Sequence, residues 1–164
     1  MSENSARSAD ERTLLLGFLK SQHDAVIWKV RDLTDDAARS VSTSTGLTLH
    51  GLIRHLEHVE RWWISDVFAG KPDLPYAWTE QDEDGDLHVP ETITMASLVE
   101  DYRREVAASE AIIAAHQLDD LSSRQGYSLR WILLHLVEEI ARHLGHLDVL
   151  REQADGATGF GPPK

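Results

Sequence analysis

Cysteine is missing from this chain. Its absence excludes disulfide bonds, thiolate metal ligands and a protein-borne sulfur nucleophile, and it leaves the compartment undecided by redox logic. No apolar run approaches the ~18 residues of a membrane span, and Met1 to Ser8 lack the apolar stretch of a secretory leader. A cytoplasmic protein without a membrane partner is the expectation. Basic residues are scarce: 16 Lys and Arg stand against 28 Asp and Glu, a formal charge of -12. Such a surface repels phosphate backbones, which argues against a nucleic-acid partner. Also absent are a G-x-S-x-G elbow, a phosphate-binding glycine loop and an H-E-x-x-H pair, so an α/β-hydrolase, a P-loop enzyme and a zincin are set aside. Asp82-Glu83-Asp84-Gly85-Asp86 starts like a calcium loop, but its glycine comes at the fourth position and Ile93 stands where a bidentate Glu is required. It reads as a solvated loop.

What is present is helical periodicity. The 164 residues suffice for one domain with a sizeable core, expected over residues 1–156, with 157–164 as an extended C-terminal tail. Leu14, Leu15, Phe18, Leu19, Val26 and Val30 recur at three- and four-residue steps, predicting a first helix from Glu11 to Arg31 capped by Ser8 or Asp10. Leu49, Leu52, Ile53, Leu56, Val59, Trp63, Ile64 and Val67 form one stripe of a second helix, which Gly70 and Pro72 end. Residues 71–93 hold three of the five prolines and no sustained period, and predict a long irregular crossover. A third helix is predicted over Met95–Gln117 and a fourth over Ser128–Gln153. With no strand alternation and no internal repeat, an all-α four-helix bundle with one crossover between the second and third helices follows.

Ionisable residues on the inner faces of these helices need partners, because an uncompensated carboxylate or imidazole taken out of water costs several kcal/mol. On the fourth helix His143 points inward and Glu139, one turn before it, sits at the edge of the apolar face. Residues at i and i+4 hold their Cβ atoms ~5 to 6 Å apart, close enough to share one ion. The plainer reading is a charge pair on a half-exposed face. His55, at the border of the second helix's stripe where neighbouring helices converge, supplies a third donor, and two histidines with one carboxylate leave coordination positions open as a catalytic ion requires. Zn²⁺ comes first, with Ni²⁺ and Fe²⁺ compatible with the same donors. His58 and His50 fall on the polar side of the second helix and are expected at the surface. His135 and His146 fall at the rim of the fourth. His23, His88 and His116 have no companions in sequence. Trp62 and Trp63 read as core and bundle-end aromatics, and Glu60, near the centre of the apolar stripe, calls either for a buried hydrogen bond, to Trp131 or a backbone donor, or for a role supporting the metal ligands.

The segments Gly46-Leu47-Thr48-Leu49-His50-Gly51-Leu52-Ile53-Arg54-His55-Leu56, Val59-Glu60-Arg61-Trp62-Trp63, Leu129-Arg130-Trp131-Ile132-Leu133-Leu134-His135-Leu136, Glu138-Glu139-Ile140-Ala141-Arg142-His143-Leu144-Gly145-His146-Leu147-Asp148, and Asp155-Gly156-Ala157-Thr158-Gly159 resemble the DinB-like superfamily. Within it, the chain is similar to the actinobacterial subgroup of largely uncharacterised proteins related to mycothiol-dependent maleylpyruvate isomerase and mycothiol S-transferases. The resemblance covers nearly the whole chain. It implies a four-helix bundle with a divalent metal in a cleft, commonly held by three histidines. Glu139 departs from that pattern and matches the His, Glu, His set of the isomerase branch, giving His55, Glu139 and His143 as the implied ligands. The implied activity is S-transfer or isomerisation with mycothiol as cosubstrate acting on an electrophile, and the implied assembly is a homodimer. Catalytic residues outside the ligand set are left unassigned on this reading. The alternatives are a bundle that binds a metal or small ligand without turnover, and a dimerisation module.

Overall fold

Among the described residues every α-helix starts on a side chain that accepts a hydrogen bond from the amide three residues further on, at Asp10, Thr34, Thr48, Thr94 and Ser128. The structure, a computed structural model, describes residues 9–159. The elements are α1 (Glu11–Lys29), the short α2 (Asp35–Arg39), α3 (Leu49–Glu60) continued by a π-helical segment (Arg61–Phe68), α4 (Met95–Ala114) and α5 (Leu129–Asp155). Gly156, left-handed at φ 77°, closes α5. Among the described residues there is no β-strand, only isolated bridges at Thr79–Asp82 and Leu121–Ser128. The fold is all-α, as the DinB-like resemblance implies.

Ion pairs and long-range hydrogen bonds fix the helix directions. Glu11 meets Arg130 near the starts of α1 and α5, and Lys29 meets Asp148 near their ends, so these two run parallel. Arg12, at the start of α1, donates to the Ile113 and His116 carbonyls at the end of α4, so α4 runs against α1. Asp35 ties His50 at the start of α3 to Met95 at the start of α4, and Arg61 just past the end of α3 pairs with Glu105 further along α4, so α3 and α4 run parallel. Leu52, Ile53, Leu56, Ile64, Ile132, Leu133, Leu136 and Ile140 belong to the hydrophobic core and are almost wholly excluded from solvent.

Parallel α3 and α4 require a connection that travels the length of α3, and residues 71–93 provide it. The segment runs back along α3: Arg61 donates to the Pro75 carbonyl, Arg54 to those of Gly85 and Asp86, and Arg39 to that of Ile93. The approach is close enough that a Cβ at Gly51 would lie 2.5 Å from the Leu87 carbonyl oxygen.

Several expectations are corrected. α2 was not foreseen; a five-residue helix has too few apolar positions to show a period, and Asp35 earns its place by accepting from Met95 N at 2.6 Å and His50 Nε2 at 2.8 Å. Those bonds tie the starts of α3 and α4 together, so His50 is buried rather than at the surface. The π segment was also unforeseen. The C-terminal bounds shift by a few residues, Asp10 is the first cap, and the other cap candidate, Ser8, lies outside the described residues, as do residues 160–164 of the tail.

Two glycines of the long helices should respond oppositely to alanine. Gly51→Ala drives a methyl into the crossover and should lower stability by about 1–3 kcal/mol. Gly145→Ala, on α5 with nothing within 4 Å of the new Cβ, should raise it by about 0.5–1 kcal/mol. Urea midpoints at constant m-value check both.

Candidate metal centre

His55 on α3 and Glu139 and His143 on α5 come together across the seam between the two helices. One donor atom from each lies within 4.8 Å of the others. Glu139 Oε1 is 3.1 Å from His143 Nε2 and 3.9 Å from His55 Nε2, and the two imidazole centroids are 4.7 Å apart, edge to face. Two ligands each ~2.1 Å from an ion at tetrahedral or octahedral angles stand about 3 to 3.4 Å apart, so small side-chain adjustments close this set on a cation. All three side chains are partly buried, with a residual exposure of 15–23%.

The neighbours of His55 fix its orientation and its tautomer. Asp86, buried at 3% exposure, accepts a hydrogen bond from His55 Nδ1 at 2.7 Å. With Nδ1 holding the proton, Nε2 keeps its lone pair, and this nitrogen is buried with no partner in the protein. His143 Nδ1 is likewise buried and unpartnered. Leaving His55 Nε2 unsatisfied costs ~1–3 kcal/mol, and a cation shared with Glu139 and His143 would answer that deficit. Burial would push the Asp86 carboxyl up, but the hydrogen bond from His55, and the attraction of His55 and His58 when protonated, hold it below the usual range. Burial, followed by the proximity of His55, depresses His143 against the opposing pull of Glu139, so its ring is neutral at pH 7.

Asp86, the buried partner of His55, is the residue of this cluster that the sequence reading missed. The cluster from Asp82 to Asp86 was expected to be solvated, and its last carboxylate is instead inside the protein. Helical spacing carries no information about an irregular segment, and the one usable signal was the length of the crossover itself. His58 is corrected too. It was expected at the surface and is buried, with Nε2 3.2 Å from Glu57 Oε2 and the ring edge-on to Tyr76 and Trp78 of the crossover. Burial first, then the charges of Arg54 and His55, push its pKa down to about 4 despite Asp86. Glu60 finds neither Trp131 nor a backbone donor; its Oε2 is 3.3 Å from His23 Nε2 on α1, so His23 has a buried companion after all. His88 is exposed and pairs with Asp82, and His116 bonds the Ile112 carbonyl. His146 is half-buried beside His143, their ring centroids 5.8 Å apart, and His135 is half-buried against Trp63 and Trp131.

The family model described as mycothiol-S-transferase matches residues 14–156, which takes in every helix that contributes to this seam. No curated protein matches the chain.

Removing the Asp86 carboxylate should weaken divalent-metal binding through loss of the His55 orientation. Asp86→Ala is expected to lower Zn²⁺ affinity by about 10- to 100-fold with helicity unchanged, read by competition with a chromophoric chelator. His58 generates a second expectation. Its folded pKa of about 4 lies below the unfolded 6.5, so the unfolded chain binds more protons in that window and stability falls as pH drops from 6.5 towards 4. Chemical denaturation at pH 7 and pH 4.5 should show a smaller loss for His58→Gln than for the unmodified protein.

Proposed function

Since this chain belongs to the mycothiol-S-transferase family, we propose that it is a divalent-metal-dependent enzyme that transfers mycothiol sulfur to an electrophile, with His55, Glu139 and His143 as the metal ligands. The observation that carries the reading is the bare, buried Nε2 of His55, fixed by Asp86 and facing a carboxylate and a second imidazole. A histidine held by a carboxylate on one nitrogen and free on the other is the arrangement found around ligated cations. Zn²⁺ suits the donor set best, and Ni²⁺ and Fe²⁺ remain compatible with it.

When bound, the cation would supply Lewis acidity and lower the pKa of a coordinating thiol from ~8.5 into the neutral range. The protein's own residues do the rest. His55, Glu139 and His143 would hold the cation, with the one carboxylate offsetting one of its two charges, and a three-donor set would leave room for the thiol sulfur. The bundle walls exclude water from His55 Nε2 and His143 Nδ1. In the overall reaction the thiol S–H bond breaks and a sulfur–carbon bond forms. For a displacement, the leaving group departs with its bonding pair and the proton goes to solvent; for an addition to a conjugated carbonyl, the proton ends on the adjacent carbon. With no cysteine in the chain, all of the conjugated sulfur comes from the cosubstrate.

Metal content and turnover test the reading separately. Protein stripped with a chelator should rebind about one Zn²⁺ per chain and gain about 2.7 kcal/mol of stability at a hundredfold excess over the dissociation constant. His55→Ala and His143→Ala should abolish that gain. Mycothiol and a chlorobimane should give conjugate with the loaded protein and only background rate with His143→Ala. Failure to bind metal removes the proposal; binding without conjugation reduces the protein to a metal-binding bundle.

A further inference from the structure

The seam that holds His55 and His143 continues beyond them. Eight residues further along α3 and its π extension stands Trp63, and eight residues back along α5 stands His135, with ring centroids 4.6 Å apart. The two helices run antiparallel here, so the Trp63–His135 contact lies about 12 Å along the seam from the His55–His143 contact, with Glu139 between them. Around Trp63 and His135 the rings multiply. Trp131 is stacked between Tyr127 (4.3 Å, 20°) and His135 (5.1 Å, 14°), and Trp63 stands 5.4 Å from Trp131 and 5.7 Å from Tyr127.

This cluster is not core. Trp131 keeps 42% of its surface in solvent, neighbouring Leu134 keeps 52%, and Tyr127, His135 and Trp63 are only half-buried. A purely structural aromatic cluster gains most when covered, whereas this one leaves its ring edges open within two helical turns of the ligand set. The faces of Trp131 are taken by its neighbours, so a ligand would meet edges, and an edge presented to a flat π-system at a centroid distance of ~4.5 to 7 Å is the favoured edge-to-face arrangement. The charges nearby select further. Arg130 is engaged by Glu11 and Asp119, and Arg142 is paired with Glu138, so neither offers a free guanidinium to an anionic substrate.

We propose that Trp63, Tyr127, Trp131 and His135 form the electrophile subsite, which takes uncharged, planar, conjugated molecules such as activated aryl halides or enones rather than dicarboxylic acids. The assignment rests on the S-transferase reading above and deepens it. It favours transfer to aromatic electrophiles over isomerisation of a diacid.

Two measurements keep the two readings apart. The first is calorimetric titration of the metal-free protein with 1-naphthol, which cannot react. Binding is expected for the unmodified chain, weakened about tenfold by Trp131→Ala and largely kept by Trp131→Phe. The second compares electrophiles under mycothiol: KM for 1-chloro-2,4-dinitrobenzene should rise about tenfold in Trp131→Ala, with kcat and the rate with iodoacetamide unchanged. If no conjugation is seen but naphthol binds in a Trp131-dependent way, the subsite stands and the transferase reading falls. Equal naphthol binding by a folded Trp131→Ala overturns the subsite, whatever the enzyme does. So does a shift in sedimentation from dimer to monomer in that variant without any change in naphthol binding, which would make the aromatic face a contact between copies of the chain.

Discussion

The hydrogen bond from His55 Nδ1 to Asp86 joins the two halves of this structure, the helical seam and the irregular segment that wraps it. It sets the tautomer of His55 and thereby which nitrogen faces Glu139 and His143. It also puts a carboxylate inside the protein, which is tolerable only because an imidazole donor meets it. Arg54 holds the same stretch of backbone through the Gly85 and Asp86 carbonyls, so the position of Asp86 is fixed from both sides of its own peptide. The crossover is therefore part of the site rather than a tether between helices, and its path follows from topology: α3 and α4 are parallel, so the chain has to return along α3 before α4 can begin.

The same path explains where reading the sequence succeeded and where it did not. The four long helices were legible because each carries an apolar stripe over many turns, and their starts were legible where a Ser, Thr or Asp precedes the stripe. His55, Glu139 and His143 were legible as a set because two share a helical turn and the third sits at the border of a second stripe. His50 and His58 were misplaced for one reason. A helical wheel locates the polar side of a helix relative to its own apolar centre, but cannot know that another segment covers that side. Here α2 covers His50 through Asp35, and Tyr76 and Trp78 of the crossover cover His58. Asp86 was invisible for the complementary reason, being the covering segment itself. Glu60 was correctly marked as needing a buried partner, but a partner 37 residues away on α1 leaves no trace in local spacing.

The π segment links these packing facts to the seam. A π turn widens the helix and alters the angular spacing of its side chains, and such turns persist where function or packing compensates for poorer backbone geometry. In this chain it begins immediately after Glu60 and carries Trp62 and Trp63. Trp62 turns towards Tyr76 and Trp78 under the crossover, and Trp63 towards Tyr127, Trp131 and His135 on α5. Adjacent residues thus serve opposite sides of the same helix, one securing the segment that delivers Asp86 and the other building the aromatic end of the seam.

The missing cysteine gains a physical meaning in this setting. A protein that handles a reactive thiol together with an electrophile runs two risks from its own sulfur: alkylation by the electrophile, and exchange with oxidised cosubstrate to give a mixed disulfide. Both scale with thiolate character, which an electropositive metal site would raise in any cysteine nearby. A chain that recruits sulfur from outside and ligates its cation with nitrogen and oxygen alone avoids both. It also avoids competition for the open coordination positions, because a protein thiolate within reach would occupy them at an effective concentration no free thiol could match. On the proposed function, then, building the site from imidazoles and a carboxylate is what keeps the cation available to a thiol that arrives and leaves.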